Sequence, residues 1–343
     1  MRVVVRLVVF LIVLAVAAIG VAFVLPGKVH VERAITIDRP ASQIYLLVSG
    51  FRRFNAWSPW FARDPAATYA TSGPERGVGA KFEWASAKDD VGSGSQTIVA
   101  VEENVSVDVA LEFVGFGKSA SRYALAPHGV GTRVTWSYDA ELPLALDGDL
   151  PRNVAARWFG LAMDRMIGPD YAAGLANMKR LVESFPNVDI AGIAPTLVDL
   201  PPRKIVYVSG TVALDDPAAV APSLQEAFAR VWRFASDHRL AIEGERLTLT
   251  RALDGQNWRY EAGVAAAWDV MPQDALVLGR VAPSGRAVRV VHTGPVGGLA
   301  TIERQAIAWA AVEGLRVRDV ALYEYRGNLD APDLVVAVSI PVE

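Results

Sequence analysis

GTRVTWSYDA (residues 131–140) and RWFGLAMDRMIGPDYAAGLANMKRLVE (157–183) decide the fold of the first half of this chain. In the first stretch Thr132, Val134, Trp136 and Tyr138 alternate with Arg133, Thr135 and Ser137. A period of two is that of a strand with one buried face. The second stretch has helical spacing. Pro151 suits the first turn, and Val154, Trp158, Leu161, Ala162 and Met166 form an apolar stripe. Gly168-Pro169 should kink or restart the helix, after which Tyr171, Leu175, Met178, Leu181 and Val182 continue its face. Working outward, residues 66–142 read as strands joined by glycine turns: AKFEWAS, GSQTIVAVEE, VSVDVALEFV, SASRYALAP and GTRVTWSYDAEL. Before them come a strand ending at Asp38, a short helix over 41–48, and a turn-rich aromatic segment, 51–61, that contains NAWSPW. This order of elements is α+β.

Residues 186–202, PNVDIAGIAPTLVDLPP, have four prolines and no Lys or Arg, and read as a linker. They separate a first domain, 28–185, from a second, 203–343. The second domain repeats itself. RKIVYVSG from Arg203 resembles RAVRVVHTG from Arg286, and each leads into a helix. The helices run over about 218–237 (Leu224, Phe228, Val231, Trp232 and Ala235 on one face) and 297–313 (Leu299, Ile302, Ile307, Trp309 and Ala310). A strand, a turn and a strand follow each: LTLTRAL and WRYEAGVAA, then VALYEYRG and DLVVAVSIPV. The pattern is a duplicated βαββ unit, which favours a cleft on a pseudo-twofold axis.

Residues 1–27 are set apart by hydropathy. From Leu7 to Leu25 the chain carries no charge, enough at 1.5 Å per residue to cross a hydrocarbon core. Arg2 and Arg6 precede the run and Pro26-Gly27 ends it. A cleaved signal peptide is the rival to a retained anchor. Its apolar core is normally shorter, and Phe23-Val24-Leu25-Pro26 is a poor cleavage site. The flanking arginines predict a single-pass protein of the inner (cytoplasmic) membrane, its folded part on the periplasmic, extracytoplasmic side. Lys28 and Arg33, close behind the run, pull against that orientation.

The net charge of -3, with acidic residues slightly in excess in both halves, lacks the basic footprint of a nucleic-acid binder. With no cysteine, thiolate metal sites, thiol nucleophiles and disulfides are excluded. His30, His128, His238 and His292 lie far apart in sequence, so no metal site is expected. The turns GVGA, GSGS and GVGT lack the lysine and following helix of phosphate loops, and no G-x-S-x-G elbow occurs. No cofactor is expected.

Several segments in order resemble the START-like SRPBCC superfamily, in its polyketide cyclase/dehydrase-like branch. They are ERAITID, FRRFNAWSPW, GVGAKFEWAS, VGSGSQTI, GTRVTWSYDA and the stretch 157–183. The resemblance covers nearly all of 30–184. It implies a helix-grip fold, a curved antiparallel sheet around a long C-terminal helix with an apolar cavity between. Residues 203–342 resemble the GyrI-like, effector-binding family through GRAVRVVHTGPVGGL, the helix reaching Ile307-Ala308-Trp309, ALYEYRG and VVAVSIPV. That resemblance implies a central cleft for small cationic or aromatic molecules. Two positions depart from the family pattern. Val296 stands where an aromatic usually follows Gly-Pro. Tyr323 takes the spacing of the family's pocket glutamate, two before Tyr325. Glu324 faces the other way by strand alternation, so the cation-binding carboxylate is either missing or supplied by Glu261.

Trp57, Trp60, Phe82, Trp84, Tyr123, Trp136 and Trp158 come from the segments that would wall the first cavity. Residue by residue, each also suits an ordinary core. Asp164 and Arg165 read as a solvated helix edge. In the second domain the candidates are Tyr207, Trp232, Trp258, Tyr260, Glu261, Trp268, His292, Tyr323 and Tyr325. A glutamate beside aromatic walls binds a cation through charge and ring quadrupole together, or serves as a general base once desolvated. The expectation is therefore a membrane-anchored protein with two ligand-binding folds for small hydrophobic or cationic molecules, used for sequestration, sensing or transfer. The alternative is a cyclase- or hydrolase-type enzyme with Glu261 or a first-domain acid as base. The sequence names no protein partner.

Overall fold

The computed structural model describes residues 2–114, 117–142, 144, 149–268, 271–272 and 274–343. The chain is α+β and divides into two compact units, Met1–Ser184 and Phe185–Glu343.

The first unit opens with α1 (Arg2–Ala22), followed by β1 (Lys28–Ile37), α2 (Ala41–Val48) and α3 (Pro59–Arg63). Six strands come next: β2 (Thr68–Ser72), β3 (Lys81–Ala85), β4 (Ser93–Glu102), β5 (Ser106–Phe113), β6 (Gly117–His128) and β7 (Gly131–Glu141). The unit closes with α4 (Leu150–Gly160) and α5 (Met163–Glu183). The strands form one antiparallel sheet, ordered β1-β7-β6-β5-β4-β3-β2. Thr132, Val134, Trp136 and Tyr138 are buried, as their alternation requires. Gly168, Tyr171, Gly174, Leu175, Met178 and Val182 are the buried stripe of α5, which packs on β1 and β7.

The helix breaks earlier than its glycine and proline suggest. α5 runs through Pro169 unbroken, and the interruption falls at Leu161–Ala162. There the amides of Leu161 and Ala162 bond three residues back, to Trp158 and Phe159, which tightens the turn. Gly160, a poor helix former, sits just before. A side chain at Gly160 would overlap Leu142 and approach Val29, so glycine is needed for the close approach to β1.

The second unit contains β8 (Thr196–Leu200), β9 (Lys204–Ala213), α6 (Pro217–Asp237), β10 (Ala241–Leu253) and β11 (Asn257–Ala267). Then come β12 (Leu278–Val281), β13 (Gly285–Thr293), α7 (Leu299–Glu313), β14 (Leu322–Arg326) and β15 (Val335–Pro341). The sheet order is β12-β9-β11-β10-β14-β15-β13-β8. The two βαββ copies are visible in it: β9-β11-β10 and β14-β15-β13 meet back to back at the β10–β14 pairing. The stretch read as a linker is partly structured, because β8 pairs with β13 from Leu200 opposite Gly285 to Thr196 opposite Arg289.

The register sorts side chains onto two faces. Thr248 lies opposite Ala262 and Tyr323, and Thr250 opposite Tyr260. These belong with Val206, Val208, Trp258 and Tyr325 to the core shared with α6 and α7. Leu247, Leu249 and Leu322 point to the other face, beside Ile205 and Tyr207.

The close approach of α5 to the first sheet is testable at Gly174, where a Cβ would lie 2.7 Å from Cζ3 of Trp136. Overpacking of this kind costs about 1–3 kcal/mol. Gly174→Val should lower the urea midpoint of the first unit's unfolding, followed by tryptophan fluorescence, whereas Ala173→Val at an exposed neighbour should not. Equal midpoints for the two variants would contradict the packing.

Candidate ligand sites

In the first unit the aromatic side chains close on one another. Trp136 stacks on Tyr171 at 3.9 Å between ring centroids with planes 12° apart, and on Tyr123 at 5.2 Å. Trp57 meets Trp136 edge-on at 5.5 Å and Phe54 at 4.9 Å, and Phe54 continues to Phe82 at 5.2 Å. Such pairs contribute beyond the area that they bury. Two polar features are set into this cluster. Ser121 accepts the Trp136 indole N–H at 2.9 Å and donates to the Ser137 carbonyl at 2.8 Å. Trp57 is 2% exposed, and its Nε1 has no hydrogen-bond partner. A buried indole N–H ordinarily has one. Burial also pushes the phenols of Tyr123 and Tyr171 up, so both stay protonated donors.

The other members of the predicted set stand apart. Trp60 lies at the margin, its ring 5.9 Å from Trp136 and its N–H on Asp170 at 3.1 Å, where Arg63 also binds. Trp84 packs edge-on against Phe113 at 5.6 Å and lines a surface groove of about 800 Å³ with Glu83, Glu112 and Arg152. Trp158 does not join the cluster: it is 41% exposed and donates its N–H to the Ala18 carbonyl of α1 at 3.2 Å. Its spacing fits the apolar stripe, but the stripe's continuation on α5 is displaced by the break at Leu161. Asp164 pairs with Arg33 at 2.9 Å on the surface.

The second unit holds a carboxylate that the strand pattern could not reveal. Glu303 of α7, 6% exposed, accepts hydrogen bonds from the Tyr323 hydroxyl and from Thr250 Oγ1, the latter at 2.8 Å. Thr250 Oγ1 also accepts the Trp258 N–H at 3.1 Å. Trp258 lies 5.5 Å from Tyr323 and 5.0 Å from Tyr260, and Tyr325 is 6.4 Å from Tyr323. The Tyr325 hydroxyl is 2.7 Å from that of Thr248, and the Tyr260 hydroxyl 2.7 Å from that of Ser223 on α6. Burial raises the Glu303 carboxyl above its ordinary range, and the bonds from Tyr323 and Thr250 offset part of the rise. The arrangement is an acidic side chain walled by rings whose polar ends are already paired. A cation replacing Glu303's proton would meet both a charge and ring faces.

Glu261 is not part of it. It points to the opposite face of the sheet, between Arg280 at 3.0 Å and Arg251 at 3.4 Å. A carboxylate held by two guanidiniums is committed to ion pairs. Tyr207 shares that face, and burial together with the Glu261 charge pushes its phenol up. Glu324 is likewise held there between Arg203 at 2.8 Å and Arg289 at 2.7 Å, as its alternation with Tyr323 predicted. Trp232 is 42% exposed, one position past the buried stripe of α6. Trp268 lies under the Lys204 ammonium, 5.5 Å from its ring centroid. His292, opposite Val336 on β13, has a buried Nε2 without a partner. Of the nine candidates the structure brings together Trp258, Tyr260, Tyr323 and Tyr325. The missed residues are Glu303, Thr248, Thr250 and Ser223. Glu303 had a signal: it lies four residues after Leu299 and three before Ala306, inside an apolar stripe. Among the described residues no cluster of His, Asp and Glu suits a metal ion.

No curated protein sequence matches the chain. Among solved structures it is similar to the C-terminal domain of EcmrR, at 19% identity and a TM-score of 0.36 over 44% of this chain and 98% of that one. It is also similar to protein Ms6760 of Mycobacterium smegmatis, at 15% identity and a TM-score of 0.32 over 46% and 92%. Residues 28–183, which hold the first sheet and its two closing helices, match the family model described as polyketide cyclase / dehydrase and lipid transport.

Proposed function

We propose that the chain is a non-catalytic small-molecule-binding protein with two ligand-binding folds, held to the membrane by α1. The observation that carries the reading is Glu303, a buried carboxyl with raised proton affinity, set against Trp258 and Tyr323. It suits a small aromatic or aliphatic cation. The first unit offers a complementary chemistry: an apolar aromatic interior whose free donor, the Trp57 N–H, suits a neutral ligand with one acceptor. The family description matched by residues 28–183 accords with an apolar ligand there. The apolar helix Arg2–Ala22, long enough to cross a membrane, supports the anchor. Its expected place is a single pass of the cytoplasmic membrane, with the chain from β1 onward outside the cytoplasm.

Three measurements test this. Benzyltrimethylammonium should bind the purified protein in calorimetry more tightly than its uncharged carbon isostere, and Glu303→Gln should weaken the cation by about tenfold or more, equal to 1.4 kcal/mol. Equal affinity of wild type and variant would sink the assignment of Glu303. The second measurement is pH dependence. Above an unfolded-state pKa of about 4.3, the unfolded chain has released a proton that the native state still holds at Glu303. Stability contributed by that proton is therefore lost as pH rises toward the raised native value. Relative to wild type, Glu303→Gln should gain stability in urea titrations between mildly acidic and neutral pH; a flat difference would contradict a buried titrating carboxyl. Third, the membrane-extracted protein should show the full 36.9 kDa by intact mass, α1 included. A shorter mass would mean removal of α1.

A further inference from the structure

α4 exposes several apolar side chains. None of its residues is buried, yet Trp158, Phe159 and, just past its end, Leu161 are exposed by 41%, 39% and 55%. Met166, in the first turn of α5, is 52% exposed. The helix is tied to α1 and to the segment just after it: the Trp158 N–H donates to the Ala18 carbonyl of α1 at 3.2 Å, and the Arg157 guanidinium donates to the Leu25 carbonyl. Ala18 lies four residues before the end of α1, which at 1.5 Å per residue is roughly 6 Å below its end. Phe23 and Val24, exposed beside this junction, continue the apolar surface. Arg152 and Arg165 are polar neighbours on the same two helices.

We propose that α4 and the Leu161–Met166 turn form a second membrane contact, lying in the headgroup and upper acyl region of the bilayer that α1 crosses. The occupant of this surface is lipid, because the surface is continuous with the end of α1, among the described residues the one helix long and apolar enough to span. A ring bonded to α1 some 6 Å inside its end is at interfacial depth, where tryptophan's apolar body and polar N–H are both satisfied. An amphipathic helix beside the anchor fixes the first unit's orientation on the membrane instead of leaving it to swing on Pro26-Gly27. The inference rests on α1 being a retained span, so its test reads the two separately.

The chain has no cysteine, so single cysteines can be placed at will. Full-length Phe10→Cys, Leu161→Cys, Met166→Cys and Val130→Cys proteins, labelled with the environment-sensitive dye NBD, would be reconstituted in phosphatidylcholine nanodiscs. Each would be titrated with lipids spin-labelled near the headgroup or deep in the acyl chain. Val130 is the control, an apolar residue 91% exposed in the β6–β7 turn, at the far end of the roughly 30 Å length of β1. The Phe10 reporter should be quenched by the deep label. Leu161 and Met166 should lose about twofold or more of their emission to the shallow label, and Val130 should lose none. Quenching at Phe10 without quenching at Leu161 and Met166 would overturn the second contact and leave the anchor standing. Blue-shifted but unquenched Leu161 and Met166 reporters would overturn it in favour of a protein cover. No quenching at Phe10 would overturn the span and the contact together.

Discussion

A strand side chain can face only one way, and in the second unit that constraint decides which carboxylate meets the tyrosines. Tyr260 and Glu261 are neighbours on β11, so placing Tyr260 in the core commits Glu261 to the other face, where Arg251 and Arg280 hold it. Tyr323 and Tyr325 are two apart on β14 and both point inward, with Glu324 between them turned out toward Arg203 and Arg289. The inward face of the sheet therefore sets hydroxyls, rings and the Arg246 guanidinium, which packs on Phe228, but no carboxylate beside these tyrosines. The carboxylate arrives from the helix layer, through Glu303. The pseudo-twofold pairing of β10 with β14 makes this possible, because it puts Thr248 and Thr250 of one copy beside Tyr323 of the other, within reach of α7.

Outward-facing charges and inward-facing hydroxyls have different costs. Glu261 and Glu324 are each compensated twice by arginine, so their burial leaves no unpaired charge. Among the described residues Glu303 has no ion-pair partner; its hydrogen bonds come from neutral Tyr323 and Thr250, and the more distant Arg304 charge offsets only part of the burial. Desolvating a carboxylate without a counter-charge is expensive, and the raised proton affinity is the protein's way of avoiding the charge. Arginine-paired carboxylates and the carboxyl with raised proton affinity are thus separated by the sheet itself.

The periodicities were legible to the extent that one element determines them. Thr132 to Tyr138 gave the buried face of β7, and the two βαββ copies followed from the similarity of the strands at Arg203 and Arg286. What depended on a second element was not. Trp158 has the spacing of a core residue, but the tight turn after Gly160 changes the direction of the chain and leaves it against α1. Pro169 looked like the break and is not, because its helix had already restarted at Met163. Trp232 lies one residue beyond the buried arc of α6, an angular error of one helical step. Glu303 was concealed by the opposite habit: a carboxylate in an apolar stripe is read as interruption, whereas here it is buried with the stripe and hydrogen-bonded to Tyr323 and Thr250.

The two aromatic clusters solve the same packing problem with opposite polar remainders. In the first unit the rings of Trp57, Tyr123, Trp136 and Tyr171 satisfy one another, and what is left over is a donor, the Trp57 N–H. In the second the donors of Trp258 and Tyr323 are consumed within a chain that ends on Glu303, and what is left over is an acceptor with a negative charge in reserve. A leftover donor selects a neutral ligand bearing an acceptor, since a cation there would meet like polarity. On the proposed reading a cation takes the place of that carboxyl's proton and leaves the charge compensated. The chain thereby carries two apolar environments with opposite polar remainders, although both are built from tryptophan and tyrosine. The division rests on one buried glutamate and one unpaired indole, and neither the number of aromatic residues nor the net charge of the chain would have distinguished them.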